Sequence, residues 1–391
     1  MPFASALSEH PVPAFATGEV CGEILDRVGP HPDLAVLFVT LAHAGALEDI
    51  VATVADVLGP SVVIGAASQT AIGVGREVES GPGISLWAGR WGPVLPVRLT
   101  VEDGPHGPRC VGLPEAVPFE PGALLVVGDP FSLPVEDLLA QVGAGFPGLP
   151  VIGGMASGAR GPGASRLAYG RQVPDHGAVA ALIGPGADVA TVVSQGCRPI
   201  GQPFVITDGE GGIVRTLAGR AALERLEEVG TTLSPDDIRC INTGGLHLGR
   251  VVDERKEQFG TGDFRIRQVL GGDRNSGAIA VNDEVVVGTT VQFHLRDAAS
   301  AHDELVRMLG RAGAVETPEA ALLFTCNGRG SRLFGVPDHD AGVVAELLGP
   351  LPLAGIAAAG ELGPVGGLNE LHSFTASLLL VREHRADAAP L

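Results

Sequence analysis

Apolar runs with no polar face recur along the chain in a fixed order. Leu34–Val39 (LAVLFV) comes first, and Leu47, Ile50, Val51, Val54, Val57 and Leu58 then follow at helical spacing. Gly59-Pro60 stops that helix, and Val62–Ser68 (VVIGAAS) is a second run. After a turn through Glu79–Gly83 the run ISLWAG predicts a third strand. Uniformly apolar runs of this length predict strands covered on both faces, whereas the spaced positions predict a helix with one buried stripe. The same order returns in ALLVVGDP (Ala123–Pro130), a helix bearing Val135, Leu138, Leu139 and Val142, then PVIGGMASG (Pro150–Gly158) and AVAALIG (Ala178–Gly184). It returns again between Ala321 and Val381 as ALLFT, HDAGVVAELLG, PLAGIAAAG and FTASLLLV.

From the first alanine of each leading strand to the glycine of the second, the separations are 30 (Ala35–Gly65), 30 (Ala123–Gly153) and 34 (Ala321–Gly355) residues. Agreement in order, length and glycine position indicates internal repetition, and marks the repeated glycine as structural. A weaker fourth copy, lacking its helix, is legible in IRCIN, QVLGGDRNSGAIAV and VVVGTTVQFHL. Strands outnumber helices, and each copy ends strand-loop-strand. The expected fold is therefore α+β: internally duplicated strand-helix-strand-strand modules forming mixed β-sheets covered by helices, not a doubly wound sheet. The expected divisions are an irregular lead-in over 1–32, an N-terminal module over 33–215 with two copies, a C-terminal module over 216–382, and a short tail over 383–391.

Charge and cysteine usage narrow the partners. A formal charge of −19 over 391 residues, with Lys256 the only lysine, argues against nucleic acid or an anionic membrane surface. Five scattered cysteines without a CxxC pair predict reduced thiols and a cytoplasmic location. The first residues show no basic region followed by an apolar core, so no signal peptide is expected. The uncharged stretch Leu138–Ala159 holds six glycines and two prolines, and reads as helix-turn-strand rather than a membrane span.

Enzyme motifs fail on inspection. There is no GxxxxGK[ST], and Gly73-Val74-Gly75 lacks both the third glycine and the helix of a dinucleotide fingerprint. Gly154-Met155-Ala156-Ser157-Gly158 has one residue too many between its first glycine and the serine for a nucleophile elbow, and the eleven histidines show no zinc spacing. Cys326 activated by His372 is a conceivable nucleophile, set against Cys326 as a small buried strand-end residue. No catalytic motif is found, and the expectation is a non-enzyme.

The C-terminal pieces LLFTCNGRG, PLAGIAAAGELGP and LNELHSFTASLLL resemble the C-terminal module of the FIST family (F-box and intracellular signal transduction). Phe264–Ala298 and Gly196–Leu226 are similar to its middle, and SVVIGAASQTAIGVGREVESGPGISLWAG to its N-terminal module. The resemblance covers roughly residues 20–382. It implies a sensory domain that binds a small ligand, with amino acids proposed for relatives, and passes its signal to a separate protein partner or through a homo-oligomer. A haem-binding nitric-oxide sensor of the same family is the alternative, which would require an axial histidine. One departure is visible: family members often carry a Gly-Glu turn after the first module's glycine strand, where this chain has Ser68-Gln69-Thr70. Gly360-Glu361 in the third copy is retained.

The expected ligand site therefore lies in the third copy. Arg329 suits a ligand carboxylate, Glu361 an ammonium, and Asn327 would fix orientation. Cys326, His372 and Arg267 are further candidates. The competing expectation is that Arg329 and Glu361 simply pair with each other.

Overall fold

Three of the repeated modules build three sheets, and each sheet is completed by a neighbour. The computed structural model describes residues 2–105, 107–256, 258–260, 262–315 and 317–384. They form two compact units, Met1–Val193 with Val306–Leu391, and Ser194–Leu305. In the first unit, Leu34–Thr40 runs parallel to Val62–Ser68 and antiparallel to Ile84–Gly89. Ala123–Gly128 relates in the same way to Val151–Met155 and Ala178–Ile183. So does Ala320–Cys326 to Leu353–Ala358 and Ala376–Glu383.

The second strand of each module would leave an open edge, a row of unpaired N–H and C=O groups. That edge is covered cyclically. Leu167–Tyr169 of module 2 pairs with Val62–Ser68 of module 1. Glu361–Val365 of module 3 pairs with Val151–Met155 of module 2, and Ala71–Gly73 of module 1 pairs with Leu353–Ala358 of module 3. The same cycle appears two residues beyond each repeated glycine. The amide of Ala67 donates to the Arg166 carbonyl at 2.9 Å, that of Met155 to Gly360 at 2.8 Å, and that of Ala357 to Thr70 at 3.4 Å.

The inner faces of the three sheets meet in one core that includes Phe38, Trp87, Val127, Ile152, Phe324 and Ile356. Phe38 and Phe324 meet there edge-on, with centroids 6.1 Å apart. The outer face of module 1 is covered by the helices Pro13–Arg27 and Leu47–Leu58, and that of module 2 by Val135–Gly145. Leu47, Ile50, Val51, Val54 and Leu58 are buried as their spacing predicts, but Val57 is 44% exposed. Gly59 ends that helix in the left-handed region at φ 59°.

Two expectations are corrected. Residues 1–32 are not irregular: Phe3–Ser8 pairs with Ile84–Gly89, and Pro13 opens a fifteen-residue helix. A proline at the first helical turn loses no needed hydrogen bond, so the proline density that reads as a loop here starts a helix. The weak fourth copy is not a module. Its leading segment IRCIN is helical, within Pro235–Cys240 and Ile241–Gly245. Its strands belong to the second unit, where Arg198–Glu210, Thr290–Leu295, Leu246–Val251, Phe264–Asp273, Ala278–Val281 and Ile213–Leu217 pair antiparallel in that order. The last returns to the first and closes a barrel. Phe204, Ile206, Val214, Leu248, Val291 and Phe293 are among the residues of its core. The fold is α+β with mixed sheets, and the structural division differs from a cut near 215, because the barrel is a continuous insertion between residues 193 and 306.

His247 and His294 lie directly opposite each other on adjacent barrel strands, and both are buried. Burial lowers each imidazole to about 4 from 6.5. Between those values the unfolded chain holds protons that the folded chain does not. Their contribution to stability is thus lost as pH falls from 6.5 to 4, by up to about 1.4 kcal/mol per pH unit for each histidine. His294→Asn is expected to flatten the pH dependence of the denaturant midpoint over that window; an unchanged slope would place the titration elsewhere.

Candidate functional site

The leading strands of modules 1 and 3 end at Thr40 and Cys326, and the loops that follow face the module 1 turn Glu79–Gly81 across a cleft of about 320 Å³. Its walls include Thr40, Gln69, Thr70, Glu79, Asn327 and Arg332. Thr40 Oγ1 donates to the Gly81 carbonyl at 2.8 Å and pins the turn. Glu79 crosses the cleft floor: Ser331 donates to its carboxylate from N at 2.8 Å and from Oγ at 2.5 Å. This closure needs glycine before Ser331. Gly330 sits at φ 61°, and a Cβ there would lie 2.9 Å from the Glu79 carboxylate. Arg332 is exposed and has no ion pair among the described residues. Asn327 is half-buried, and its backbone N–H donates to the Ala358 carbonyl at 2.8 Å.

Arg329 contributes to the cleft wall, but its side chain is 0% exposed. Its partner is Asp340 rather than Glu361: Nε donates to Oδ2 at 2.7 Å and Nη2 to Oδ1 at 2.9 Å. Burial opposes the charge on both groups, and the bidentate contact outweighs it. Asp340 is held well below the ordinary carboxylate range, and Arg329 is raised. Thr325 Oγ1 also donates to Asp340 at 2.6 Å, and the Arg329 guanidinium lies 5.2 Å from the Phe334 ring centroid. Glu77 approaches from module 1 and accepts from the Ala341 amide at 2.9 Å. Burial, then the charge of Asp340, raises it to about 7.

Glu361 is also fully buried. Its Oε2 accepts from Thr375 N at 3.0 Å and Oγ1 at 2.9 Å. Burial pushes its carboxyl up to about 8, against the hydrogen bonds from Thr375 and the charge of Arg329. The folded chain therefore keeps a proton that the unfolded chain releases near 4.5. The contribution of Glu361 to stability declines as pH rises from 4.5 to 8 and levels off above. Glu361→Gln, which keeps the shape without the titration, is expected to reduce that decline in urea melts; an unaltered decline would show that Glu361 does not carry it.

Cys326 is buried, with Sγ accepting from the Gly328 amide at 3.4 Å, and His372 is buried with Nε2 2.9 Å from the Gly363 carbonyl. Arg267 belongs to the other unit, where its Nε lies 3.9 Å from Asp283. Of the six candidates, Asn327 and Arg329 line the cleft, Cys326 precedes it, Glu361 and His372 are interior, and Arg267 lies outside the modules.

Asp340, Glu77, Glu79 and Arg332 escape a reading by spacing. Asp340 looks like an ordinary acidic residue in a first helical turn, and the two glutamates come from the distant copy whose acid-free Ser68-Gln69-Thr70 turn argued against a site. Only the exchange of hairpins between modules brings them to the third copy.

A cyclic set of three strand-helix-strand modules, interrupted by a closed barrel, is the class of protein that this architecture defines. Family models for the FIST N domain and the FIST C domain match residues 33–220 and 222–364. The chain belongs to the FIST family, whose domains are consistent with a sensory role in signal transduction. It is 41% identical over 360 residues to an uncharacterised protein of Mycobacterium tuberculosis (strain H37Rv), covering 91% of this chain and 92% of that one. It is 40% identical over 371 residues to an uncharacterised protein of Mycobacterium bovis, covering 93% and 95% respectively. No described helix is long and apolar enough to cross a membrane.

Proposed function

We propose that this protein is a cytoplasmic sensory protein that binds a small carboxylate, an amino acid or related metabolite, in the cleft between modules 1 and 3. It acts by binding rather than by catalysis, and passes the signal to a separate partner. One observation carries this reading. In a chain of net charge −19, Arg332 stands exposed in a concave polar cleft without an ion pair among the described residues, and Asn327 lines the same cleft. A guanidinium so placed matches a carboxylate in geometry and charge. Arg329, held by Asp340, supports the loop from beneath, and Glu79 offers an acceptor to an ammonium. The five cysteines, none joined in a disulfide, support a reducing compartment.

Calorimetric titration with amino acids and simple carboxylates tests the proposal. Arg332→Gln is expected to weaken binding about tenfold or more, the worth of one charge-assisted contact. A folded wild type silent toward every carboxylate would overturn it.

A further inference from the structure

The cyclic exchange places an equivalent junction at each pair of modules. The junction of modules 2 and 3 is closely packed: a Cβ at Gly154 would meet the Ala358 Cβ at 2.8 Å and the Gly360 carbonyl at 3.1 Å. The junction of modules 1 and 2 is open, as a second cleft of about 260 Å³. Its chemistry differs from that of the first. Leu41, Ala44, Ala67, Ala156, Ala159 and Ala164 form most of its wall. The two serines that reach it are engaged elsewhere: Ser157 Oγ donates to the Ala357 carbonyl at 2.5 Å, and Ser165 Oγ to Asp129 at 2.5 Å. Arg166 pairs with Glu48, and Arg160 is exposed.

Leu41 lines both clefts. A Cβ at Gly158 would lie 2.7 Å from the Leu41 side chain and 3.1 Å from that of Gln69, so Leu41 is seated beside both as the divide between the clefts. It is 47% exposed, an apolar saddle between a polar cleft and an alanine-lined one. Apolar surface of this kind gains from being covered by hydrocarbon, and the neighbouring cleft supplies the cation.

We propose that the two clefts form one site for a carboxylate with an unbranched or branched aliphatic tail. The carboxylate sits at Arg332 and Asn327, and the tail passes over Leu41 into the alanine-lined cleft. This rests on the carboxylate reading above and adds the class of ligand.

The probes are acetate, butyrate, hexanoate and hexanedioate, titrated into the full chain and two variants. In the wild type, affinity is expected to rise about fourfold for each added methylene, the equivalent of about 0.8 kcal/mol. Ala164→Leu fills the second cleft from an exposed loop position. It should leave acetate affinity unchanged while removing the gain from butyrate to hexanoate. Arg332→Gln should weaken every probe and keep the dependence on length. A flat dependence in the wild type, or hexanoate affinity unmoved by Ala164→Leu, would overturn the tail assignment while leaving the carboxylate reading in place. Hexanedioate binding more tightly than hexanoate would also overturn it, since the far end would then meet Arg160 rather than an apolar wall. The converse pattern, length dependence intact but Arg332→Gln without effect, would overturn the head assignment instead. No binding of any probe would overturn both.

Discussion

Gly355→Ala is expected to leave little folded protein, with a loss of about 4 kcal/mol or more in whatever can be measured. A Cβ on Gly355 would lie 1.8 Å from the Leu323 carbonyl oxygen, which is backbone in the centre of a sheet and has nowhere to move. The equivalent distances are 1.7 Å at Gly65, to the Leu37 carbonyl, and 1.9 Å at Gly153, to the Val126 carbonyl. The repeated glycine therefore lets the second strand of each module approach the first, and the position is structural in all three. Gly143→Ala and Gly342→Ala are the controls, since nothing lies within 4 Å of a Cβ at either position in its helix. Both should be neutral or stabilising by about 0.5–1 kcal/mol, because alanine restricts the unfolded chain and favours helix. Soluble yield and urea midpoints for the three variants decide the matter. A Gly355→Ala protein as stable as the controls would show that the strands can part at no cost.

Arg329→Met is the second large effect. It removes both hydrogen bonds to Asp340 and leaves a carboxylate at 0% exposure that keeps, among the described residues, hydrogen bonds to Thr325 Oγ1 and His339 Nδ1. Breaking a buried pair from one side costs about 3–5 kcal/mol, because the remaining charge has lost its compensation rather than because the pair itself was worth that much. The double variant Arg329→Met, Asp340→Leu should recover most of the loss, and denaturant midpoints for the two singles and the double close the cycle. A double variant no better than Arg329→Met alone would show that packing against Phe334, 5.2 Å away, and not the charge, is what Arg329 supplies. Either result bears on the cleft. Asn327 lies in the turn before Arg329 and Arg332 in the short helix Gly330–Phe334 after it, so a loosened guanidinium should also weaken carboxylate binding.

Much of the fold was legible because local pattern and tertiary environment coincide. A run such as Leu34–Val39 is apolar on both faces because the core of the three sheets covers one side and helices the other, and the sequence needs no further information to say so. The capping box at Ser234 and Asp237, with Pro235 between them, and the tight turn at Asp273–Gly277 are likewise local events with local signals. Repetition added a long-range inference, that Gly65, Gly153 and Gly355 share a role. The lead-in was misread because a strand paired at a sheet edge and a proline-initiated helix carry the same prolines as a loop. The barrel was misread because its alternating strands mimic a module that has lost its helix.

By itself the sequence determined three modules, their α+β character, the structural glycine and the family resemblance, all of which depend on residue order within some thirty positions. It also singled out Asn327 and Arg329, both at the cleft. Only the tertiary structure decided that Arg329 answers to Asp340 and not Glu361, and that Glu361 and His372 are interior. The module that lacked an acid supplies Glu77 and Glu79 to its neighbour. The physical reason is the open edge of each second strand. Satisfying it with a hairpin from another copy joins residues some 250 positions apart, as at Glu79 and Ser331, and no periodicity in the chain encodes which copy lends to which.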